Sequence, residues 1–148
     1  MQWFFILLAL AAGALMPVQA GINVELKNTA LHDPVLAALV SFAVGTLGLA
    51  AYCLAARIPW PGVAGLSGTS LWHWSGGLLG AFFVTATVIL APRLGATTML
   101  GLIVGGQMLA SLLLDHYGLL GYAVREASPL RLLGAAMIVG GVALVRIF

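Results

Sequence analysis

Five stretches of the chain are each long and apolar enough to cross a lipid bilayer. An α-helix rises 1.5 Å per residue, so about 20 residues cover the ~30 Å hydrocarbon layer. Little sequence remains outside these stretches, which predicts an all-α membrane protein with five transmembrane helices. The predicted helices are residues 2–25, 34–56, 72–91, 96–114 and 131–147, within a single transmembrane domain of residues 1–148.

Composition excludes several other classes of protein. With 62% hydrophobic and 7% charged side chains, a chain of 148 residues cannot keep a water-facing surface. The net charge of +2 comes without a cluster of Lys or Arg, so nucleic acid is not an expected partner. The single cysteine, Cys53, permits neither a disulfide nor a cysteine metal site within one chain. The sequence contains no enzyme motif and no metal-ligand cluster, so we expect no catalysis, metal or cofactor.

The first stretch has an alternative interpretation as a cleaved signal peptide. Val18, Gln19 and Ala20 have the small-residue spacing of a signal-peptidase site after an apolar run. However, no Lys or Arg precedes the run, and the run is longer than a typical signal core. We therefore expect this stretch to remain as a transmembrane helix.

The breaks between the stretches contain residues that begin or end helices. Asp33 and Ser128 each precede a proline, and each can cap a helix that begins at that proline. The break at residues 92–95 is short, which predicts a tight antiparallel hairpin of the third and fourth helices. Residues 57–71 are rich in Pro, Gly and hydroxyl side chains, and Trp60, Trp72 and Trp74 lie in or just after them, which predicts a loop at the membrane interface.

The six basic residues divide equally between the two sides of the membrane. Arg57, Arg125 and Arg131 fall on the side of the N-terminus, and the opposite side holds Lys27, Arg93 and Arg146. Orientation follows the Lys/Arg bias of short loops, and here the bias is zero. This predicts a dual topology, in which the chain inserts both ways round. The alternative is a fixed topology, set by loop length or by unequal weights of the individual Arg residues.

Polar side chains in the first two spans are candidate substrate-binding groups, because lipid cannot satisfy them. Gln19 and Asn23 are one helical turn apart, and Pro17 frees a backbone carbonyl near the same level. They form either a cavity wall or an interhelical hydrogen-bonding pair, the latter worth about 0.6–2 kcal/mol. Ser41 begins a stripe of small residues in the second span. Packing is the simpler interpretation of that stripe, and Ser41 is also a candidate for substrate contact.

The fourth span contains a polar stripe at consecutive i, i+4 positions, formed by Gln107, Ser111 and Asp115. Lipid cannot face such a stripe, so Gln107 and Ser111 are further candidate substrate-binding residues. Asp115 and His116 are read either as a solvated helix end or as a proton-coupling or gating site, since histidine titrates near neutral pH. Glu25, near Lys27, is either a surface group or a third coupling candidate.

Glycines four residues apart predict close helix packing, because they let two helix backbones approach each other. Two such pairs occur in the third and fourth spans. The candidate packing residues are Gly76, Gly80, Gly101 and Gly105.

Several motifs, in order along nearly the whole chain, resemble the YdcZ-type family of the drug/metabolite transporter (DMT) superfamily. Each motif is weak alone and the combination is specific. The motifs are residues 13–23 (GALMPVQAGIN), 41–46 (SFAVGT), 74–81 (WSGGLLGA), 91–95 (APRLG), 105–107 (GGQ) and 115–118 (DHYG), with Pro34, Arg131, Gly134 and Gly141.

The resemblance implies an exporter in the bacterial inner membrane, built on a ten-helix fold around a central cavity. This chain resembles the half-size form, in which two five-helix chains make the cavity. Small multidrug resistance relatives carry a membrane-embedded Glu in the first helix, and this chain has Gln19 in the comparable region. A neutral amide cannot exchange protons, so cation-for-proton antiport by that mechanism is not expected.

These observations predict a small-molecule exporter that works as an inverted homodimer with a central cavity. Two alternatives stay open, a non-transporting membrane subunit and one half of a heterodimeric transporter. Apart from the lipid bilayer and a second copy, the predicted partner is a neutral or weakly polar small molecule of unknown identity.

Overall fold

The computed structural model describes residues 1–62 and 68–147 and consists of helices and their connections, with no strand in those residues. All five predicted membrane-spanning helices are confirmed. They are α1 (Gln2–Leu26), α2 (Pro34–Ala55), α3 (Ser75–Leu94), α4 (Ala96–Tyr117) and α5 (Pro129–Ile147). A π-helix, Lys27–Leu31, continues α1, and 3-10 turns occupy Leu71–Trp74 and Leu119–Gly121.

Both predicted cap residues are confirmed, each directly before the first residue of a helix. The Asp33 carboxylate accepts hydrogen bonds from the backbone N–H groups of Val35 and Leu36, at 2.8 and 2.9 Å. The Ser128 hydroxyl accepts from the N–H of Arg131 at 3.4 Å, and α5 begins at Pro129 rather than at the predicted residue 131. In both cases proline occupies the first helical position, where no N–H is needed.

The third and fourth helices end later than predicted, at glycines with positive φ. α3 begins at Ser75 instead of residue 72, after the 3-10 turn, and continues through Pro92 to Leu94. Gly95 then adopts φ 76° and ψ 156°, a backbone conformation that residues other than glycine rarely adopt. α4 ends at Tyr117 instead of residue 114, because Gly118 takes the left-handed conformation that terminates helices.

Part of the predicted interfacial loop can be described. After α2, residues 56–62 form no helix, and Arg57 has a positive φ of 52°. Residues 63–67 of the loop lie outside the described part of the chain. Trp60, Trp72 and Trp74 are all exposed, as the headgroup layer requires of its tryptophans.

The contacts between residues divide the chain into two compact units, Met1–Pro92 and Arg93–Phe148. In the first unit, α1 and α2 pack against each other. Their buried apolar residues are small, namely Ala20, Ala37 and Ala38, which allows a close approach of the two helices. That the whole chain forms one domain, and that α3 and α4 form a hairpin, stay predictions.

In the second unit, α4 and α5 pack as an antiparallel pair in which glycine faces valine. A Cβ atom built on Gly101 would lie 2.8 Å from two methyl carbons of Val142. One turn further along α4, a Cβ on Gly105 would lie 3.5 Å from Val139, an ordinary contact. The close approach of these helices therefore depends on the absence of a side chain at position 101.

The substitution Gly101→Ala is expected to destabilise this helix pair by about 1–3 kcal/mol, the usual cost of overpacking. Gly134→Ala is the matched control, since a Cβ at Gly134 meets no atom within 4 Å. The measurement is thermal unfolding of the purified chain in detergent. Because Val142 supplies the clashing methyl groups, Val142→Ala should restore part of the loss in the double variant. Equal melting of Gly101→Ala and Gly134→Ala would contradict this account of the packing.

The other two candidate packing glycines differ from each other. A Cβ on Gly80 would approach the ring of Phe42 at 3.1 Å, so α3 lies close to the Phe42 side chain of α2 there. A Cβ on Gly76 would meet nothing within 4 Å. Gly76 therefore makes no close helix contact within the described chain.

Candidate functional site

A hollow on the first unit brings three of the polar side chains of α1 and α2 together. Its volume is about 220 Å³. Gln19 contributes from α1, and Ser41 and Thr46 contribute from α2. The remaining lining is apolar, from Phe42, Gly45 and Leu49. The amide and each of the two hydroxyls can donate as well as accept hydrogen bonds. No charged side chain lines the hollow.

The positions of these residues on α2 follow from helix periodicity. Ser41 and Gly45 are one turn apart, as are Phe42 and Thr46, so both pairs share one broad face of the helix. Gly45 has no side chain and leaves space between Ser41 and Thr46. The sequence identified Gln19 and Ser41 as candidates but not Thr46, although its hydroxyl stands in the same apolar span.

Asn23 lies apart from this hollow, although it is one turn from Gln19. Asn23 is only 3% exposed, and its Nδ2 atom has no hydrogen-bond partner in the described chain. An unsatisfied buried amide N–H group costs about 1–3 kcal/mol. Asn23 belongs to the buried part of α1, and its predicted role in substrate binding stays a prediction.

The polar stripe of α4 divides into an exposed part and an anchored part. Gln107 and Ser111 are both exposed, and neither lines the groove between α4 and α5. Asp115, one turn further, forms an ion pair with Arg131 of α5. The same guanidinium donates to the carbonyl oxygens of Arg125 and Glu126, at 2.8 and 3.3 Å.

His116 also contacts the connection between α4 and α5. The N–H of Ala127 donates to His116 Nδ1 at 3.3 Å, and the N–H of Arg125 donates to the Asp115 carbonyl at 2.8 Å. Asp115 and His116 therefore hold the returning chain against the end of α4. Their predicted part in proton coupling or gating stays a prediction.

Glu25 stands near the end of α1, and its side chain is exposed. Its carbonyl accepts a hydrogen bond from the Thr29 hydroxyl at 2.8 Å, across the start of the π-helix. In residues 1–62 and 68–147 the only ion pair is Asp115 with Arg131, so Glu25 does not pair with Lys27. A coupling role for Glu25 has no structural contact behind it and stays a prediction.

Two glutamines occupy the middle of spanning helices and remain exposed on the chain. Gln19 lies near the centre of the span Gln2–Leu31, and Gln107 lies near the centre of Ala96–Tyr117. Lipid tails offer no hydrogen bonds to an amide, so each of these side chains requires a polar partner or water. They belong to different units, and their predicted common cavity stays a prediction.

Five helices long and apolar enough to cross a bilayer define a multi-pass membrane protein. The family follows from sequence comparison. The profile of the family described as "Putative inner membrane exporter, YdcZ" matches residues 4–144 of the 148, and the chain belongs to that family. Searches of curated proteins and of solved structures each found no match.

The family match confirms the resemblance and the predicted location. The chain is a multi-pass protein of the inner membrane, with the five-helix architecture expected of a DMT-type half-transporter. The description of the family as an exporter supports transport as its general activity.

Proposed function

We propose that this chain exports a small molecule as an inverted homodimer, with a central cavity to which Gln19, Ser41 and Gln107 contribute. The exposed amides at mid-membrane carry this proposal, because a single five-helix chain leaves them facing outward. A second copy inserted the opposite way round covers them and encloses a polar path.

The low burial of the helices supports a partner within the membrane. At most 17% of the most apolar window of any span is buried inside the chain. Apolar helix surfaces in a membrane protein can face lipid, but polar surfaces cannot. A second copy therefore fits best against the faces that carry Gln19 and Gln107.

The hollow of α1 and α2 indicates the class of substrate. Its side chains are neutral, and its volume of about 220 Å³ accommodates a small molecule or part of a larger one when two hollows join. A site with one amide, two hydroxyls and one aromatic ring suits a neutral or weakly polar molecule. A buried charge that would select an ion is absent from the lining.

Dual topology can be tested by cysteine labelling in intact cells. In a Cys53→Ser background, Asn28→Cys and Ala56→Cys place single thiols at exposed positions on opposite ends of α2. An inverted dimer predicts that a membrane-impermeant maleimide labels about half of the molecules of each variant. Permeabilised cells provide the control for total reactivity. Complete labelling of one variant and none of the other would exclude dual topology.

A charge test makes the same prediction sharper. One added lysine gives one side of the membrane four basic residues and leaves the other side with three. Asn28→Lys and Ala56→Lys add it on opposite sides, so they should bias the orientation in opposite directions. Mass determination in detergent tests the homodimer separately. A chain that stays monomeric when expressed alone would favour a heterodimer with a related half-size chain.

A further inference from the structure

The groove between α4 and α5 is a second cavity, separate from the hollow of the first unit. Its volume is about 330 Å³, and its lining is apolar except at one end, where Arg146 contributes. Gly101, Gly105 and Gly106 form one wall on α4. Val139 and Val142 form part of the other wall on α5.

The groove has a defined depth in the membrane. Because Gly101 faces Val142 and Gly105 faces Val139, the helices are antiparallel, and Arg146 lies beside the start of α4. The lining of α4 runs from Gly101 to Leu109, which is about 12 Å along the helix axis. With Arg146 beside the start of α4, the groove therefore runs from near one membrane surface to slightly beyond the centre of the ~30 Å hydrocarbon layer.

The end of this unit that holds Arg146 carries basic side chains and no acidic ones in the described residues. Arg93 stands three positions before the first residue of α4, so it belongs to the same end as Arg146. The acidic side chains lie at the opposite end, Asp115 in the last turn of α4 and Glu126 in the connection to α5, together with Arg125 and Arg131. Within the described chain, no carboxylate pairs with Arg146. The open end of an apolar groove is thus positively charged.

We propose that this groove binds an anionic phospholipid of the surrounding bilayer, with one acyl chain in the groove and the phosphate at Arg146. A guanidinium binds a phosphate through paired, charge-assisted hydrogen bonds. The stem of an arginine at a helix end packs along apolar surface while its head reaches the headgroup layer. The groove covers little more than one leaflet, which suits an acyl chain, whereas a helix of a second copy packs along the whole span.

The test is native mass spectrometry of the detergent-purified chain with phosphatidylglycerol and with phosphatidylcholine that carry identical acyl chains. The wild-type chain should retain phosphatidylglycerol about fivefold better, the effect of one arginine near an anionic headgroup. Arg146→Gln should remove this preference and leave the binding of both lipids by their tails. Arg125→Gln, a charge neutralised at the opposite end of the unit, is the matched control and should keep the preference.

A second variant tests the groove itself. A Cβ on Gly106 meets no atom within 4 Å, so there is room for the first carbon of a leucine at this position in the lining. Gly106→Leu puts a side chain into the groove and should lower the binding of both lipids at least tenfold. Gly140→Leu, equally free of neighbours and outside the groove, is its control.

Three results would overturn the proposal. They are an unchanged lipid preference in Arg146→Gln, unchanged retention of both lipids in Gly106→Leu, and a Gly106→Leu chain that loses its dimer while binding lipid normally. The last result would identify the groove as a contact between two copies.

Discussion

The substitution Gln19→Leu is expected to abolish export while leaving membrane insertion and dimerisation intact. Gln19 is exposed and lines the hollow, so its amide does not hold the fold of the first unit together. A substrate bound there would lose a donor and an acceptor, and its own polar groups would face leucine. The loss of such hydrogen bonds weakens binding by on the order of 10- to 100-fold.

A ligand identified by a thermal-shift screen of a metabolite panel against the wild-type chain provides the readout. Gln19→Leu should show no shift with that ligand, and it should fail to rescue the growth of an exporter-deficient strain. Gln2→Leu is the matched control, because it makes the same exchange at the first residue of α1, outside the hollow. Normal transport by Gln19→Leu would rule out the hollow as the substrate site, and loss of the dimer would reassign Gln19 to structural packing.

Gln107→Leu extends this experiment to the second unit. Gln107 is exposed at the middle of α4, one turn from Ser111, and the groove that binds lipid in our proposal does not include either residue. If both glutamines contact one substrate, Gln107→Leu should abolish the thermal shift with the same ligand, as Gln19→Leu does. A normal thermal shift of Gln107→Leu with that ligand would separate Gln107 from the site of Gln19.

The sequence predicted the five helices and the caps of α2 and α5, because those depend on local chemistry. Apolar length defines a membrane span, and the cap residues Asp33 and Ser128 act on backbone groups within three residues of themselves. The ends of α3 and α4 were harder to predict. Pro92 reads as a helix breaker, yet in the last turn of α3 it is tolerated, and the helix ends only at Gly95.

The candidate site was predicted in part for a related reason. Polarity within an apolar span identified Gln19, Ser41 and Gln107, but which of them share a hollow depends on how the helices cross. Thr46 was missed because one face of α2 became visible only once it was packed with α1. The partner of Asp115 is 16 positions away, and only the path of the connection brings Arg131 to it.

The substitution Arg131→Met is expected to destabilise the second unit by about 1–3 kcal/mol. It leaves the Asp115 carboxylate unpaired and also frees the carbonyl groups of Arg125 and Glu126. Breaking a fully buried ion pair costs about 3–5 kcal/mol, and exposed pairs contribute about 0–1 kcal/mol. The side chains here are 34% and 22% exposed, so an intermediate value applies.

Thermal unfolding in detergent measures this loss, with Arg125→Met as the matched control. Arg125 lies in the same connection, and in the described chain its contacts are made by its backbone, so its replacement should change the melting temperature little. Arg131→Lys keeps the charge but lacks the planar fork that reaches the carboxylate and two carbonyls together, so it should fall between the two. A melting temperature for Arg131→Met equal to that of Arg125→Met would contradict the structural role of the ion pair.

Asp115→Asn separates the structural role of Asp115 from a role in proton coupling. If Asp115 only anchors the connection, Asp115→Asn and Arg131→Met should lower stability together, and transport per folded molecule should stay unchanged in both. If Asp115 also carries a proton, Asp115→Asn should lose transport even where the chain remains folded, whereas Arg131→Met should retain part of it. The double variant should melt close to the less stable single variant, because both substitutions remove the same interaction. Since Asp115 ends the stripe of Gln107 and Ser111, this pair of variants decides whether the stripe leads to a coupling site or ends at a structural anchor.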